Sequence, residues 1–491
     1  MLGRLLVHVS NYSIGNLLVT IASFISFPIF TRVFPVDEYG ILSLVSSLLL
    51  FACGLGKLGI QHAIPRFYAE FRHGKAAFDG RTFYSTVLLG MGAVGIAATA
   101  LWLGAGSLLP AAWVADERIR YLMALTAPLV FVRIMESALV NILRAQQRSA
   151  LLSAYTVCRR YMVLFLVLVT IFWVLPSLTG LYLATMAAES GAVIAIAVIV
   201  LRSNPLSAAS YSSSLHRSML AFGIPMIGFE LGGIVLNVGD RYMLQALIGY
   251  EAVGVYSAAY NVCEYVQFIV IASVGQALVP AYTRIWEERG AAETARFVEQ
   301  VLHFYLLLAA AVLAGLVAVG PDVLSLLASS KYAEGGVVIP WVMAGLLTSG
   351  SATMLGAGIY IHKQTRVMMV GVLLAAALNL ALNAVLIPAA GIRGAAVATL
   401  ASELLIAVLA FLYGRRTMRI VFPGLHLLKF LAMGAAMYWA VTQVHVDSIL
   451  MDLTFKVVVG CLVYGALAVA CDRRARSVAR MVAMRFGWSF A

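Results

Sequence analysis

Charge is scarce in this chain: of 491 residues only 11% are Asp, Glu, Lys or Arg. A soluble domain carries about a quarter charged residues, so a water-soluble globular protein is excluded. Cysteine is scarce too. The five residues Cys53, Cys158, Cys263, Cys461 and Cys471 are scattered, mostly within apolar stretches, and fit neither a disulfide framework nor a cysteine metal site. Also missing are a nucleophile paired with its base, a metal-ligand cluster and a phosphate-cradling glycine loop. The chain is therefore read as a non-enzyme without a resident cofactor.

What remains is apolar. Hydrophobic residues make up 62% of the chain and the mean hydropathy is +0.94, as expected of a chain that lives in a bilayer. Crossing the hydrocarbon takes roughly 20 apolar residues as a helix, and such stretches recur. They predict an all-α polytopic membrane protein of about fourteen spans: 10–32, 39–60, 83–109, 120–143, 149–175, 178–201, 218–239, 252–280, 298–320, 336–360, 367–388, 392–414, 425–443 and 454–471. The first span has full crossing length and no small-residue cleavage site, so it is expected to stay as a helix and not to be removed as a signal peptide.

Positive charge sorts the loops. With the N-terminus cytoplasmic, 22 of the 34 Lys and Arg residues fall on that side, among them Lys75, Arg144, Arg148 and Arg473, and seven on the other. Cytoplasmic loops retain such an excess, so both termini are expected in the cytoplasm and the protein in the cell inner membrane. The net charge of +12 then reflects topology and attraction to anionic lipid. No nucleic-acid partner is needed.

The chain repeats itself. Gly180-Leu-Tyr-Leu-Ala184-Thr185-Met-Ala-Ala-Glu189 returns 214 positions later as Gly394-Ala-Ala-Val-Ala398-Thr399-Leu-Ala-Ser-Glu403. Gly40 and Ser43 map at the same offset onto Gly254 and Ser257, with Pro65 onto Pro280, Gly74 onto Gly290 and Arg148 onto Arg366 at offsets a few residues larger. Loop insertions produce such drift. The expected organisation is a six-helix bundle over 1–201, a cytoplasmic linker at 202–217, a second bundle over 218–414, two extra helices within 415–471 and a basic tail at 472–491. Six spans per half make the repeats parallel, an arrangement in which substrate paths lie between halves. The tail is read as a solvated anchor or as a basic interfacial helix.

Two segments carry a resemblance. Gly15-Asn16 through Pro28-Ile-Phe-Thr-Arg32, with Glu38-Tyr39-Gly40-Ile-Leu-Ser43, resembles the start of polysaccharide transporters, the Wzx-type flippases of the MATE-like exporter superfamily. Gly391-Ile-Arg-Gly394-Ala-Ala-Val-Ala-Thr399 is similar to their twelfth helix. The resemblance implies a MATE-like fold. It also implies movement of an undecaprenyl-diphosphate-linked oligosaccharide from the cytoplasmic to the periplasmic leaflet by alternating access, alongside polymerase and chain-length proteins of a polysaccharide pathway.

Ionisable groups inside spans are functional candidates, and they are unevenly divided. The first half holds Lys57, Arg133, Arg159 and Arg160, suited to a diphosphate; the second holds Glu264 and Glu403 and, in span 7, Glu230. Each has a plainer reading. Lys57 either snorkels to the headgroups or faces inward with Ser43, Ser47, Leu50 and Gly54 on one helical stripe. Arg133 either meets phosphate or is neutralised by Glu136 three residues on. Of the neighbours Arg159 and Arg160, set about 100° apart on a helix, one at most points into a cavity.

Span 8 presents Ser257, Asn261, Glu264 and Gln267 at helical spacing beside Tyr256, Tyr260 and Tyr265, either an interhelical seam or a surface for sugar rings and hydroxyls. Asp240 and Arg241 form either a gate pair or an interfacial salt bridge. Asp37 is expected to cap span 2. Related peptidoglycan-precursor flippases hold sodium between helices 7, 11 and 12. By that resemblance Asn379, Asn383, Thr399 and Glu230 are the matching positions, while a protonatable Glu230 or Glu403 suits proton coupling instead. Among alternatives, a MATE drug exporter shares the fold, a peptidoglycan-precursor flippase shares the chemistry, and a membrane glycosyltransferase or ligase handles related lipids.

Overall fold

The computed structural model describes residues 2–73, 78–108, 116–204 and 206–485, with backbone alone at 2–13, 108, 269–277, 365 and 482–485. Gly74 and Lys75 lie outside the described residues. Helix dominates and no strand occurs among the described residues. The elements are α1 (Leu2–Val33), α2 (Val36–Gly56), α3 (Ile60–Arg72), α4 (Gly80–Leu108), α5 (Glu117–Ala145), α6 (Ser149–Val169), α7 (Leu178–Ser203), α8 (Ser213–Leu247), α9 (Tyr250–Ala328), α10 (Ile339–Leu355), α11 (Ala357–Ile361), α12 (Thr365–Met418), α13 (Gly424–Thr442), α14 (Ile449–Cys471) and α15 (Arg473–Arg485).

Twelve stretches among the described residues are helical, long and apolar enough to cross a membrane. Their outward faces carry Leu101 at 74%, Val385 at 67% and Leu425 at 84% exposure. Apolar side chains along so many helices are a liability in water; in a bilayer they face the solvent they suit. The protein is a multi-pass membrane protein. The two longest helices are each two helices meeting at a kink, α9 at Gly290 (φ 80°) and α12 at Gly391 (φ 57°). Both are left-handed positions that glycine takes without the Cβ penalty.

Other breaks are equally local. Pro35, whose ring disfavours a helical preceding residue, separates α1 from α2. A π-turn at Thr170–Val174 ends α6, and Ser177 then accepts from Gly180 N to cap α7. The expected cap at Asp37 is not formed. The N-cap of α2 is Pro35, and the Asp37 carboxylate instead meets Arg118 at 3.2 Å.

The chain divides into two compact units, Met1–Gly254 and Val255–Ala491. Within the first, α1 packs on α6, α4 on α5 and α7 on both α5 and α6, while α2 and α3 lie against α5 and α8. Segment 202–217 contains a short 3-10 turn, Ala208–Ser210. Ser85 Oγ and Thr86 Oγ1 of α4 hold it by accepting from Ser207 N and Ser212 N. Within the second unit, α10 packs on α12 and α13 on α14.

Glycines set the closest approaches. A Cβ on Gly40 would stand 2.0 Å from Tyr250 O, and one on Gly254 would stand 2.2 Å from Val36 O. These repeat-related residues thus face each other across one backbone contact. Gly180 and Gly394 also share a task. A Cβ on either would meet a carbonyl near the end of the helical segment before it, Leu175 O at 2.2 Å and Leu386 O at 2.1 Å.

One amphipathic element went unpredicted. Helix α3 starts at left-handed Gly59 (φ 71°) and buries Ile60, Gln61, Ala63 and Ile64, in a stretch expected to be loop. Its apolar period is too short for a span, yet the spacing of those residues signals a helical face.

Candidate functional site

In the first unit, a cavity of about 560 Å³ is lined by Lys57, Gln61 and His62 from the end of α2 and the start of α3, and by Arg133, Glu136 and Arg144 of α5. Arg159 of α6 and Glu189 of α7 complete its polar wall. Of the four predicted cations it therefore collects three. Arg160 turns elsewhere, onto Ser23 Oγ at 2.9 Å and Ser26 Oγ at 3.3 Å, as the angle between adjacent helical residues requires.

The cations are held by acids. Arg133 pairs with Glu189, through Nε at 2.8 Å and Nη2 at 3.2 Å, and not with Glu136, the plainer of its two readings. Arg159 reaches the same carboxylate at 3.2 Å and Glu136 at 3.0 Å. Tyr155 also donates to Glu136, at 3.1 Å. Glu189 is 5% exposed, and two guanidiniums on one buried carboxylate leave its charge fully compensated. These partners escaped the sequence reading because each comes from a different helix.

Lys57 is tied more loosely. Its Nζ stands 3.8 Å from Glu230 of α8, which also accepts from Gln61 and stands 3.7 Å from His62 Nε2. The α2 stripe does face inward. Ser47 is buried, Leu50 lines the cavity, and a Cβ on Gly54 would touch Ile234 of α8 at 2.6 Å. Arg144, assigned to a loop from sequence, lines the cavity and donates to Asn141 at 3.0 Å. Four cations, two fixed carboxylates and amide groups in one concavity can bind a polyanion with several hydrogen bonds at once.

The second unit holds the amide-rich set. Asn379 and Asn383 are fully buried, with Asn383 Nδ2 donating to Asn379 Oδ1 at 2.9 Å. The chain reverses at Gly391: Gly394 lies against Leu386 O and Ile387 N, residues that an unbroken helix would set about 1.5 Å per residue apart along its axis. Thr399 Oγ1 donates to Ala395 O. Asn379 Nδ2, Asn383 Oδ1 and Glu403 Oε2 are buried with no hydrogen-bond partner among the described residues.

The other candidates are placed as follows. Tyr256 and Tyr260 are buried with ring centroids 5.8 Å apart, and Gln267 donates to Leu346 O of α10 at 3.0 Å, so part of the span-8 stripe serves packing. Ser257 is buried, Asn261 half-buried and Glu264 exposed. Asp240 accepts from Arg241 N, and Arg241 Nη1 donates to Asn237 O at 2.7 Å. Arg32 donates to Pro28 O at 3.0 Å, and Glu38 lies half-buried in the first turn of α2.

No curated protein sequence matches. The chain is similar in structure to a lipid II flippase, MurJ, in an inward closed conformation, at TM-score 0.78 and 13% identity over 94% of this chain and 99% of that one. It is similar to an outward-facing multidrug resistance MATE transporter of the MOP superfamily, at TM-score 0.62 and 15% identity over 84% and 95%. A MOP transporter from Pyrococcus furiosus, described by the reversed polarity of its binding pocket, matches at TM-score 0.61 and 14% identity over 84% and 95%. At these identities the likeness shows the fold, which is that of MOP-superfamily flippases and transporters. A sequence profile covers residues 5–286, more than half the chain, and by it this chain belongs to the polysaccharide biosynthesis protein family.

Proposed function

We propose that the protein is a flippase that moves an undecaprenyl-diphosphate-linked oligosaccharide from the cytoplasmic to the periplasmic leaflet by alternating access, coupled to a cation. The observation that carries this reading is the cavity that gathers Lys57, Arg133, Arg144 and Arg159 inside a membrane-crossing bundle. A diphosphate cannot enter hydrocarbon uncompensated, since an unpaired charge there costs tens of kcal/mol in the idealised limit. A wet, cationic concavity removes that barrier.

In this reading each arm of α9 and α12 crosses the membrane, making fourteen spans with both termini cytoplasmic in the inner membrane, and the basic tail meets anionic lipid. The bundles are 1–201 and 218–414, with Asn261, Glu264 and Gln267 serving sugar hydroxyls and Asp240 with Arg241 serving as a gate. The coupling cation sits with Asn379, Asn383, Thr399 and Glu403, where the orphaned buried oxygens of Asn383 and Glu403 suit a hard ion, or exchanges as a proton at Glu403 or Glu230. Polymerase and chain-length proteins are the expected pathway partners.

Lys57→Ala, Arg133→Ala and Arg159→Ala should each reach the membrane yet lower export of surface polysaccharide in a deletion strain. Full export in all three sinks the cationic site. A lipid-linked peptidoglycan precursor is the second reading, favoured by the near-complete overlap with a lipid II flippase fold. Rescue of a strain lacking its essential precursor flippase decides between them. A drug exporter is disfavoured, because a cavity lined by four cations against two carboxylates keeps an excess of positive charge that repels cationic amphiphiles.

A further inference from the structure

At the end of α14, three ligand-bearing side chains converge in the second unit: His303 of α9, His426 of α13 and Asp472, the residue after α14. Their nearest ligand atoms lie within 4.8 Å of one another. We propose that they bind a divalent transition-metal ion of the zinc class, with one coordination position left to water. Two imidazoles and one carboxylate are the donor set such ions select.

The distances suit an ion. Bonds of about 2.0–2.2 Å to a tetrahedral metal set neighbouring ligand atoms roughly 3.3 Å apart, and His303 Nε2 stands 3.1 Å from Asp472 Oδ1. The ion takes the place of the proton between those two atoms. His426 is exposed with its ring centroid 5.0 Å from that of His303, so its position is the entry route.

The surroundings are those of a ligating carboxylate. Lys429 donates to Asp472 Oδ2 at 2.6 Å, and the backbone N–H groups of Arg474 and Ala475 donate to Oδ1 at 3.1 and 3.0 Å. The two backbone donors orient the carboxylate, as outer partners of metal ligands do. Phe430 and Phe304 pack edge-on to the His303 ring, with centroids 5.2 and 5.6 Å away, and exclude water from its inner side. Lys429 also repels a cation, so the site is tuned below its full affinity. Bound metal would staple α9, α13 and the start of α15 together.

Untagged protein in detergent is titrated with Co²⁺ while visible ligand-field absorption is followed, and Zn²⁺ per chain is counted by elemental analysis. One ion per chain is expected, with a rise in melting temperature. His426→Ala and Asp472→Asn should abolish uptake, and Lys429→Ala should tighten it. Because His426 is exposed, its variant should melt like the parent without metal. Absence of uptake by the parent chain overturns the site, as does uptake undiminished in both His426→Ala and Asp472→Asn, or weaker binding in Lys429→Ala.

Discussion

Arg133 donates from both Nε and Nη2 to the carboxylate of Glu189, at 2.8 and 3.2 Å. Arg159 shares that carboxylate, so Glu189 is a positioning residue for both guanidiniums. Glu189→Gln leaves them mutually repelling and is expected to destabilise the protein in detergent by about 3 kcal/mol, the low end for breaking a buried pair, since Arg133 retains 28% exposure. A double-mutant cycle with Arg133→Ala should give a coupling of about 1–3 kcal/mol. Additive melting-temperature shifts would contradict the pairing.

The neighbours Arg159 and Arg160 separate cavity from packing. Arg159→Ala should lower polysaccharide export severalfold at normal protein level. Arg160→Ala loses hydrogen bonds to Ser23 and Ser26, at about 1 kcal/mol each, and should spare export in proportion to the protein made. Equal export defects per molecule would refute the distinction.

Repeat-related glycines should be equally intolerant. Gly180→Ala and Gly394→Ala drive a methyl to within 2.2 and 2.1 Å of backbone carbonyls, and each should cost about 1–3 kcal/mol or more by overpacking. Gly104, with nothing within 4 Å of a built Cβ, serves as the control: its alanine variant should melt no lower than the parent.

The start of α5 should contribute to the acid dependence of stability. The hydrogen bond from Arg118 holds the Asp116 carboxyl below its usual range, against an opposing effect of burial. A depressed folded-state value stabilises above the unfolded value of about 3.9 and is lost as pH falls through the folded one. Asp116→Asn should thus lower the melting temperature near neutral pH and flatten its decline below about pH 4. An unchanged acid slope would count against the pair.

For coupling, Glu403→Gln and Asn383→Ala are expected to reduce gradient-driven transport in vesicles. Loss with both and a sodium requirement favours a bound ion; loss with Glu403→Gln alone and a pH requirement favours a proton. Transport indifferent to both gradients removes the proposal.

Much of this was legible in the sequence, for physical reasons. Crossing helices announce themselves because hydrocarbon demands long apolar runs, and the Gly180/Gly394 repeat was visible because a backbone corner tolerates only glycine. Three of four cavity cations were found for the same reason: Lys57, Arg133 and Arg159 interrupt apolar runs. The partners were not legible. Glu136 and Glu189 lie on α5 and α7, and nothing in one-dimensional spacing says that Glu136 would abandon Arg133 three residues away for Arg159 on α6. Helix α3 was missed because 13 residues are too few to register as a span, and Arg144 because a cation near a helix end reads as loop charge.

The pairing of Arg133 and Arg159 with resident carboxylates has a consequence for selectivity. A cavity of bare cations would collect any small anion, free phosphate included. At Arg133 and Arg159 the protein already supplies the counterions, so an anion reaches those guanidiniums only by exchanging with Glu189 or Glu136, and a single phosphate gains little from the exchange. Under the proposed function, a diphosphate with an attached chain of hydroxyls offers several contacts at once and displaces them more readily than a single phosphate does, which makes the paired charges a filter against free phosphate.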